Sequence, residues 1–249
     1  MKMSFQIADR VVLVTGANRG IGKSIVETLL AHGAKKVYAG VRELSKAKDL
    51  VELGQGKVIP IIIDLANRTT IDQAAADAQD VELVVNNAGI ARTTSLFSEQ
   101  VYGSLDEELK VNLYGVIAMA RAFAPVLKAN GGGAFVQLNS VVSIKSFGDF
   151  ATYSASKAAA YSVTQAIRDG LREQGTLVVS VHPGPIATDM AAAVGLLEVA
   201  DPPAVVSEGI VQALAQGQFH LFPDKMAKQF WGVYENYARN IVEGTGTGE

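Results

Sequence analysis

The stretch whose reading decides the fold is Val11-Val12-Leu13-Val14-Thr15-Gly16-Ala17-Asn18-Arg19-Gly20-Ile21-Gly22. Its first five residues, four of them valine or threonine, predict a buried strand, because branched side chains suit a pleated surface covered on both faces. Glycines at 16, 20 and 22 then predict a tight turn that another group can approach closely. From Ile21 apolar residues recur at helical spacing as far as Ala31. Strand, glycine turn and helix in that order gather backbone N–H groups and the positive end of a helix at one point, which suits a pyrophosphate. A glycine triplet alone is a weak signal whose bland reading is a plain strand-to-helix turn. The rest of the chain has to decide.

Outward from this turn, short β-rich apolar runs alternate with longer segments of helical periodicity. Strands are predicted at 10–15, 36–41, 58–63, 83–86, 134–139, 177–181 and 219–222, and helices notably at 21–31, 105–129 and 152–174. This alternation predicts an α/β fold built from βαβ units. Right-handed crossovers make it a Rossmann-like, doubly wound parallel sheet of about seven strands with helices on both faces, and the ligand crevice lies at the carboxyl ends of the strands. No linker, composition shift or internal repeat divides the chain. Residues 1–243 are expected to form a single dinucleotide-binding domain ending in a helix over 224–242, followed by a disordered Gly/Thr-rich tail at 244–249. Gly131-Gly132-Gly133 reads as a turn, not a hinge.

The totals exclude several classes of function. Of 249 residues 49% are hydrophobic, enough for one well-buried domain, and 22 basic against 25 acidic residues leave a net charge of -3. Such a balance gives no general attraction to nucleic acid or an anionic membrane. With no cysteine there is no disulfide, thiolate nucleophile or Cys-based metal site. The three histidines, His32, His182 and His220, match no ligand spacing, so no metal site is expected. No leader-like or membrane-spanning apolar run is present, and the expected location is cytoplasmic.

The spacing Thr15-Gly16-x-x-x-Gly20-x-Gly22 resembles that of the short-chain dehydrogenase/reductase family, and the resemblance extends from about Ala8 to Asp224. It implies an NAD(P)-dependent oxidoreductase. An NAD-specific dinucleotide fold usually has an acidic residue about 20 positions beyond the glycine turn to bond the ribose 2′-hydroxyl. Here the second strand ends Tyr38-Ala39-Gly40-Val41-Arg42, with no acid before Glu43. Arg42, with Arg19 inside the turn as a second clamp, can grip a 2′-phosphate through charge-assisted bonds, so the expected cofactor is NADPH/NADP. Both arginines are also ordinary surface charges on the bland reading. The resemblance adds cofactor contacts at Gly16, Arg19, Gly20, Ile21, Gly22 and Arg42, at Asp64 and Leu65 beside adenine, and at Asn87-Ala88-Gly89, where small residues allow close approach and amides tie strands together. It also implies that the Ile186 backbone and the Thr188 hydroxyl hold the carboxamide. Asp64 and Thr188 read equally as helix caps.

Tyr153 and Lys157, four residues apart on a helical segment, share one face. Free tyrosine has a pKa of about 10, and an adjacent ammonium is expected to lower it; a drop of ~3 units needs about 4 kcal/mol. Taken alone the pair is a common exposed helix couple. With Ser140 at a strand end and Asn112 in the long preceding helix, it matches the family's Asn-Ser-Tyr-Lys set. The resemblance then implies hydride transfer between nicotinamide and a ketone or aldehyde carbonyl. Tyr153 would be the general acid/base, Ser140 would polarise the carbonyl, Lys157 would orient the ribose and tune Tyr153, and Asn112 would support a water relay. Ser143 fits the spacing less well.

Residues 91–96, Val141, Val142, Ile144, Phe147, Phe150 and 190–197 would rim a mostly apolar pocket, which suggests a small, hydrophobic carbonyl or alcohol substrate. The C-terminal stripe of Met226, Phe230, Val233 or Tyr234, Tyr237 and Ile241 would cover the domain edge, cap the pocket or pair with another subunit. The resemblance implies a homo-dimer or homo-tetramer, from whose usual form this added helix departs. Epimerase or dehydratase chemistry would call for a larger C-terminal substrate region. Enoyl reductases tend to separate Tyr and Lys more widely. A non-catalytic NADPH-sensing protein is the alternative of a different class; it would need the cofactor turn but not the Tyr153 set.

Overall fold

A computed structural model describes residues 3–244. At its centre lies one parallel sheet of seven strands in the order β3-β2-β1-β4-β5-β6-β7. The strands are β1 (Val11–Thr15), β2 (Lys36–Val41), β3 (Val58–Ile62), β4 (Leu83–Asn86), β5 (Ala134–Leu138), β6 (Leu177–Val181) and β7 (His220–Leu221). Between and after them run α1 (Gly20–Ala31), α2 (Lys48–Leu53), α3 (Arg68–Asp77), α4 (Val101–Leu109), α5 (Gly115–Ala129), α6 (Ala151–Leu171), α7 (Asp189–Ala193), α8 (Ala204–Gln216) and α9 (Lys225–Tyr237). The strand order reverses direction between β1 and β4, which opens a crevice beyond their carboxyl ends, where the glycine turn leaves the sheet.

Two apolar layers hold the helices to the sheet. Val12 and Val14 of β1 pack with Ile25, Val26 and Leu29 of α1 and with Ile210 and Leu214 of α8. The alternate residues, Val11 and Leu13, pack with Ile71 of α3 and with Met119, Phe123 and Leu127 of α5. Both faces of β1 are therefore covered, which is why it reads as an unbroken apolar run. The edge strand β3 departs from that rule. Ile59 and Ile62 are exposed, and Pro60 is tolerated because an edge strand need not donate from every residue.

Three elements differ from their expected form. β7 is two residues long instead of four, because only His220 and Leu221 register with Ser180 and Val181 of β6. The long helix expected over 105–129 starts earlier and is broken into α4 and α5 by a π-helical turn, Lys110–Tyr114. The C-terminal helix is α9, capped by Asp224, whose side chain accepts from Ala227 N, and it ends in a second π-helical turn, Ala238–Val242. Of the two candidates in its apolar stripe, Tyr234 faces inward with Trp231 and Phe230 against Phe222, whereas Val233, Tyr237 and Ile241 are exposed. The helix thus covers the domain's own edge beside β7. The expected tail at 244–249 lies, apart from Gly244, outside the described residues. Among the described residues no helix is long and apolar enough to cross a membrane.

Candidate active site

The glycine turn is held by its own tightness. Gly16 and Gly20 take left-handed backbone conformations, φ 63° and 52°. Gly22 lies so close to the start of the turn that a Cβ there would sit 2.1 Å from Gly16 O and 2.6 Å from Asn87 Nδ2. Arg19 precedes α1 in extended conformation without capping it, and among the described residues no hydrogen bond uses the N–H of Gly20, Ile21 or Gly22. Three free amides at a helix N-terminus, facing a crevice walled by glycine, fit a phosphate group.

Behind the turn, Thr15 is a hub that the sequence reading passed over. Its hydroxyl donates to Asn86 Oδ1 (3.0 Å) and accepts from Asn87 N and Ala88 N (both 3.0 Å). Asn87 Nδ2 donates to Thr15 O at 2.9 Å, and Asn86 Nδ2 to Gln137 Oε1 at 2.8 Å. The amides of this segment tie β1, β4 and β5 together, as expected. The same segment leads to Gly89, where an added Cβ would lie 3.1 Å from Asn112 Oδ1 and 3.5 Å from Lys157 Nζ.

The other residues expected at the cofactor differ in their local roles. Leu65 is buried, with its Cβ against Gly115 just after the π turn. Asp64 does not cap α3. Its Oδ1 accepts from Ala66 N (2.9 Å) to close a turn, and the cap is Asn67, whose side chain accepts from Thr69 N. Thr188 does cap α7 and also donates to Ile186 O at 3.1 Å, while its methyl group lies against Gly20. The segment of Ile186 and Thr188 thus closes the crevice opposite the glycine turn. Arg19 reaches across the same gap to Asp189, 3.4 Å away with both side chains exposed, and Arg42 stands exposed just past β2.

Around Gly89 the structure assembles the four residues expected to do chemistry. Asn112 lies in the π turn, not in a regular helix. Its Oδ1 accepts from Ile90 N (3.0 Å) and its Nδ2 donates to Ile90 O (2.8 Å) and Ser156 Oγ (3.0 Å). Such a turn is a frequent feature of functional sites. Ser140 caps a single 3-10 turn, Val141–Ser143, and donates to Pro183 O at 3.2 Å, long for an O–H···O bond. Tyr153 turns its hydroxyl toward Ser140. Lys157, buried on the same helix face, donates to Leu138 O at 2.8 Å with Nζ 5.9 Å from the Tyr153 ring centre.

The electrostatics overturn one expectation. Lys157 does not lower the Tyr153 pKa in this structure. Burial pushes the phenol up to about 12, against a downward pull from the Ser140 hydroxyl, and the Glu108 carboxyl adds to the rise. Burial also pulls Lys157 down to about 8. Taking either side chain out of water disfavours its charged form, and at this separation the ammonium does not offset that cost for the phenol.

Two of the three histidines lie together, while His32 pairs with Glu208 elsewhere. His182 and His220, on adjacent strand ends, lie with ring centres 5.8 Å apart, and both pack on Tyr161, the next residue of the Tyr153–Lys157 stripe. His182 Nδ1 meets Ser143 Oγ at 2.9 Å and its Nε2 meets Ser180 Oγ at 2.8 Å, while Ser143 also donates to Ser140 O. Burial holds His182 down to about 3, so it stays neutral and braces the Ser140 turn. Tyr161 Oη bonds His220 Nε2 (2.6 Å) and Tyr234 Oη (3.1 Å), and His220 Nδ1 meets Glu243 at 2.6 Å. Ser143, set aside on spacing, is thus a support. Among the expected rim residues, Leu96, Phe147, Met190 and Leu197 are exposed. Val141 is core with Phe222 and Ala227, and Val142 and Ile144 pack on that cluster.

A parallel sheet with a glycine turn at its strand reversal and a Tyr-Lys pair beyond it is the architecture of a dinucleotide-dependent oxidoreductase. The chain belongs to the short chain dehydrogenase family, whose pattern matches residues 10–196, and the cofactor of that family is a nicotinamide dinucleotide. An uncharacterized oxidoreductase of Staphylococcus aureus strain USA300 is 30% identical over 216 residues, covering 84% of this chain and 93% of that protein. A short chain dehydrogenase from Burkholderia cenocepacia, solved in complex with NADP, is 33% identical with a TM-score of 0.85, over 98% of this chain and 100% of that one. A family member from Burkholderia phymatum, solved with NAD, shares the fold at 20% identity, with a TM-score of 0.83 over 98% of this chain and 99% of its own.

Proposed function

We propose that the protein is an NADPH-dependent carbonyl reductase, or alcohol dehydrogenase in the reverse direction, acting on apolar ketones or aldehydes with Tyr153 as the general acid/base. The observation that carries this reading is the half-buried Tyr153 phenol, turned to Ser140, held protonated at neutral pH and set beside Lys157, whose Nζ lies close to Gly89. A proton donor has to be neutral before it acts, and a phenol at about 12 is.

The glycine turn and the free amides of Gly20, Ile21 and Gly22 would hold the pyrophosphate, with Asp64 and Leu65 at the adenine and Ile186 and Thr188 at the carboxamide. Arg42 and Arg19 would take a 2′-phosphate, a choice supported by the NADP bound to the Burkholderia cenocepacia relative. Held by these residues, a reduced nicotinamide would supply the hydride that the carbonyl carbon takes up. Ser140 exchanges its long bond to Pro183 O for one to the carbonyl oxygen and polarises it. Tyr153 then gives its proton to that oxygen as negative charge develops there. Lys157, fixed by Leu138 O, has N–H groups left for the ribose hydroxyls beside Gly89. Asn112, bonded to Ile90 and Ser156, keeps this edge of the site in place for the water that restores the Tyr153 proton.

The test is NADPH oxidation across a panel of apolar ketones and aldehydes, with Tyr153→Phe as control. The variant should lose ~10²–10⁴-fold in kcat and still bind NADPH. Turnover that survives Tyr153→Phe refutes the mechanism. Tight NADPH binding with no turnover on any carbonyl makes the protein a cofactor sensor instead.

A further inference from the structure

Glu108 is a carboxyl group that the proposed chemistry does not use and that is fully buried. It sits in the last turn of α4, four residues before Asn112, and the two side chains make parallel connections. Asn112 joins the backbone of Ile90 to Ser156 of α6. Glu108 Oε1 accepts from the backbone of Arg92 at 2.7 Å, two residues further along the same segment. Its Oε2 is buried without a partner. Turned toward it is Thr152, four residues before Ser156 on α6, whose Oγ1 is also buried without a partner. The segment is pinned again beyond this point, where Ala151 N donates to Thr94 O at 3.1 Å.

The first rung works because an amide both accepts and donates. A carboxylate can only accept, but a protonated carboxyl has the same pattern as an amide. We propose that Glu108 keeps its proton in the folded protein, and that its carboxylic acid, accepting from Arg92 N and donating to Thr152 Oγ1, is a second rung that positions Tyr153 against the substrate-side segment. Tyr153 is the residue directly after Thr152, so a shift of Thr152 moves the phenol.

Charge balance favours the acid form. The groups facing Glu108 are Arg92 from the segment, Glu107 from its own helix, and Thr152 and Tyr153 from α6. The one cation among them, the Arg92 guanidinium, is turned outward to Glu107, with Nη2 2.6 Å from Oε2. A buried carboxylate without a cation of its own is costly and takes up a proton. Burial accordingly pushes the Glu108 pKa above the ordinary carboxylate range, with Thr152 and Arg92 opposing. An ionised Glu108 would also set a second negative charge near the phenolate that Tyr153 becomes when it gives up its proton.

Two measurements decide this without any substrate. The infrared spectrum at pH 7 should contain a protonated-carboxyl C=O band that Glu108→Gln lacks. Wild-type stability should also fall as pH rises from the unfolded carboxyl value, about 4.3, through the raised folded value, because the folded state holds the proton longer. Glu108→Gln should not share that fall. The kinetic arm rests on the function proposed above. Glu108→Ala should lower kcat at least tenfold with little change in NADPH binding, Glu108→Gln should restore most of it, and Gln should flatten any alkaline loss of rate. Identical infrared spectra, or a Gln variant as impaired as Ala, overturn the second rung while leaving Tyr153 untouched. An active Tyr153→Phe overturns the function instead, and the infrared band still decides Glu108.

Discussion

Lys157 should be replaceable by methionine with a gain in stability and a loss of function. Its side chain is 4% exposed, and burial takes its pKa from 10.5 to about 8. That drop corresponds to about 3 kcal/mol held against folding at neutral pH. Methionine is of similar length and carries no charge. It forfeits the bond to Leu138 O, worth about 1 kcal/mol, but that carbonyl keeps Gln137 Nε2 as a partner at 3.0 Å. The net gain is about 2 kcal/mol, or roughly 4–8 °C in Tm for a chain of this size. The sign with pH follows from which state holds the proton. Between about 8 and 10.5 the unfolded chain binds the Lys157 proton and the folded protein has released it, so wild-type stability rises with pH through that window. The methionine variant has no such rise, and its advantage should shrink from pH 7 to pH 10. Urea denaturation of cofactor-free protein at the two pH values measures this, with NADPH oxidation followed in parallel. A variant less stable than wild type at pH 7, or an advantage equal at both pH values, refutes the reasoning.

Gly22→Ala should raise the Kd for NADPH at least tenfold with the far-UV spectrum unchanged, because its Cβ would meet Gly16 O at 2.1 Å and force the turn open. An unchanged Kd would mean that the turn does not hold the cofactor. Arg42→Asp should lower kcat/KM with NADPH by ~10–100-fold more than with NADH, the worth of a bond to a charged group plus the new repulsion. Equal losses with both cofactors would remove Arg42 from the 2′-phosphate site.

What was legible in the sequence was whatever repeats locally. β1 and its glycine turn could be read because a branched run and glycines have short-range meaning, and Tyr153 and Lys157 because a spacing of four on a helix fixes a shared face. The π turn at Asn112 could not be read from periodicity, since one extra residue in a helix leaves no distinct pattern. The same limit hid the cluster of His182, His220, Tyr161 and Tyr234, whose members lie up to 73 positions apart and meet only because β6 and β7 are neighbours. Glu108 did carry a signal, its spacing of four before Asn112. The Tyr153 pKa was expected in the wrong direction because a spacing reports proximity to Lys157 and says nothing of burial.

The hydrogen bonds themselves divide the site into parts that hold and parts that exchange. Thr15, Asn86, Asn87 and Asn112 spend their polar groups on neighbouring backbone and side chains, and each removes freedom from a loop. His182, neutral down to about pH 3, braces Ser143 and Ser180 without change of charge over the range in which a cell operates. The groups assigned to chemistry are bonded in the opposite way. Ser140 has one long bond to give up, Tyr153 holds a proton that burial keeps on it, and the first amides of α1 have no partner among the described residues. A buried polar group with a weak bond or none is a cost to the fold unless something else completes it. Here such exchangeable groups line one crevice, between the glycine turn and Tyr153, whereas among the described residues the buried side-chain atoms wholly without a partner are Glu108 Oε2, Asn139 Oδ1, Thr152 Oγ1 and Ser154 Oγ. The long Ser140 bond and the unpartnered α1 amides are the contacts that a ligand entering the crevice would complete.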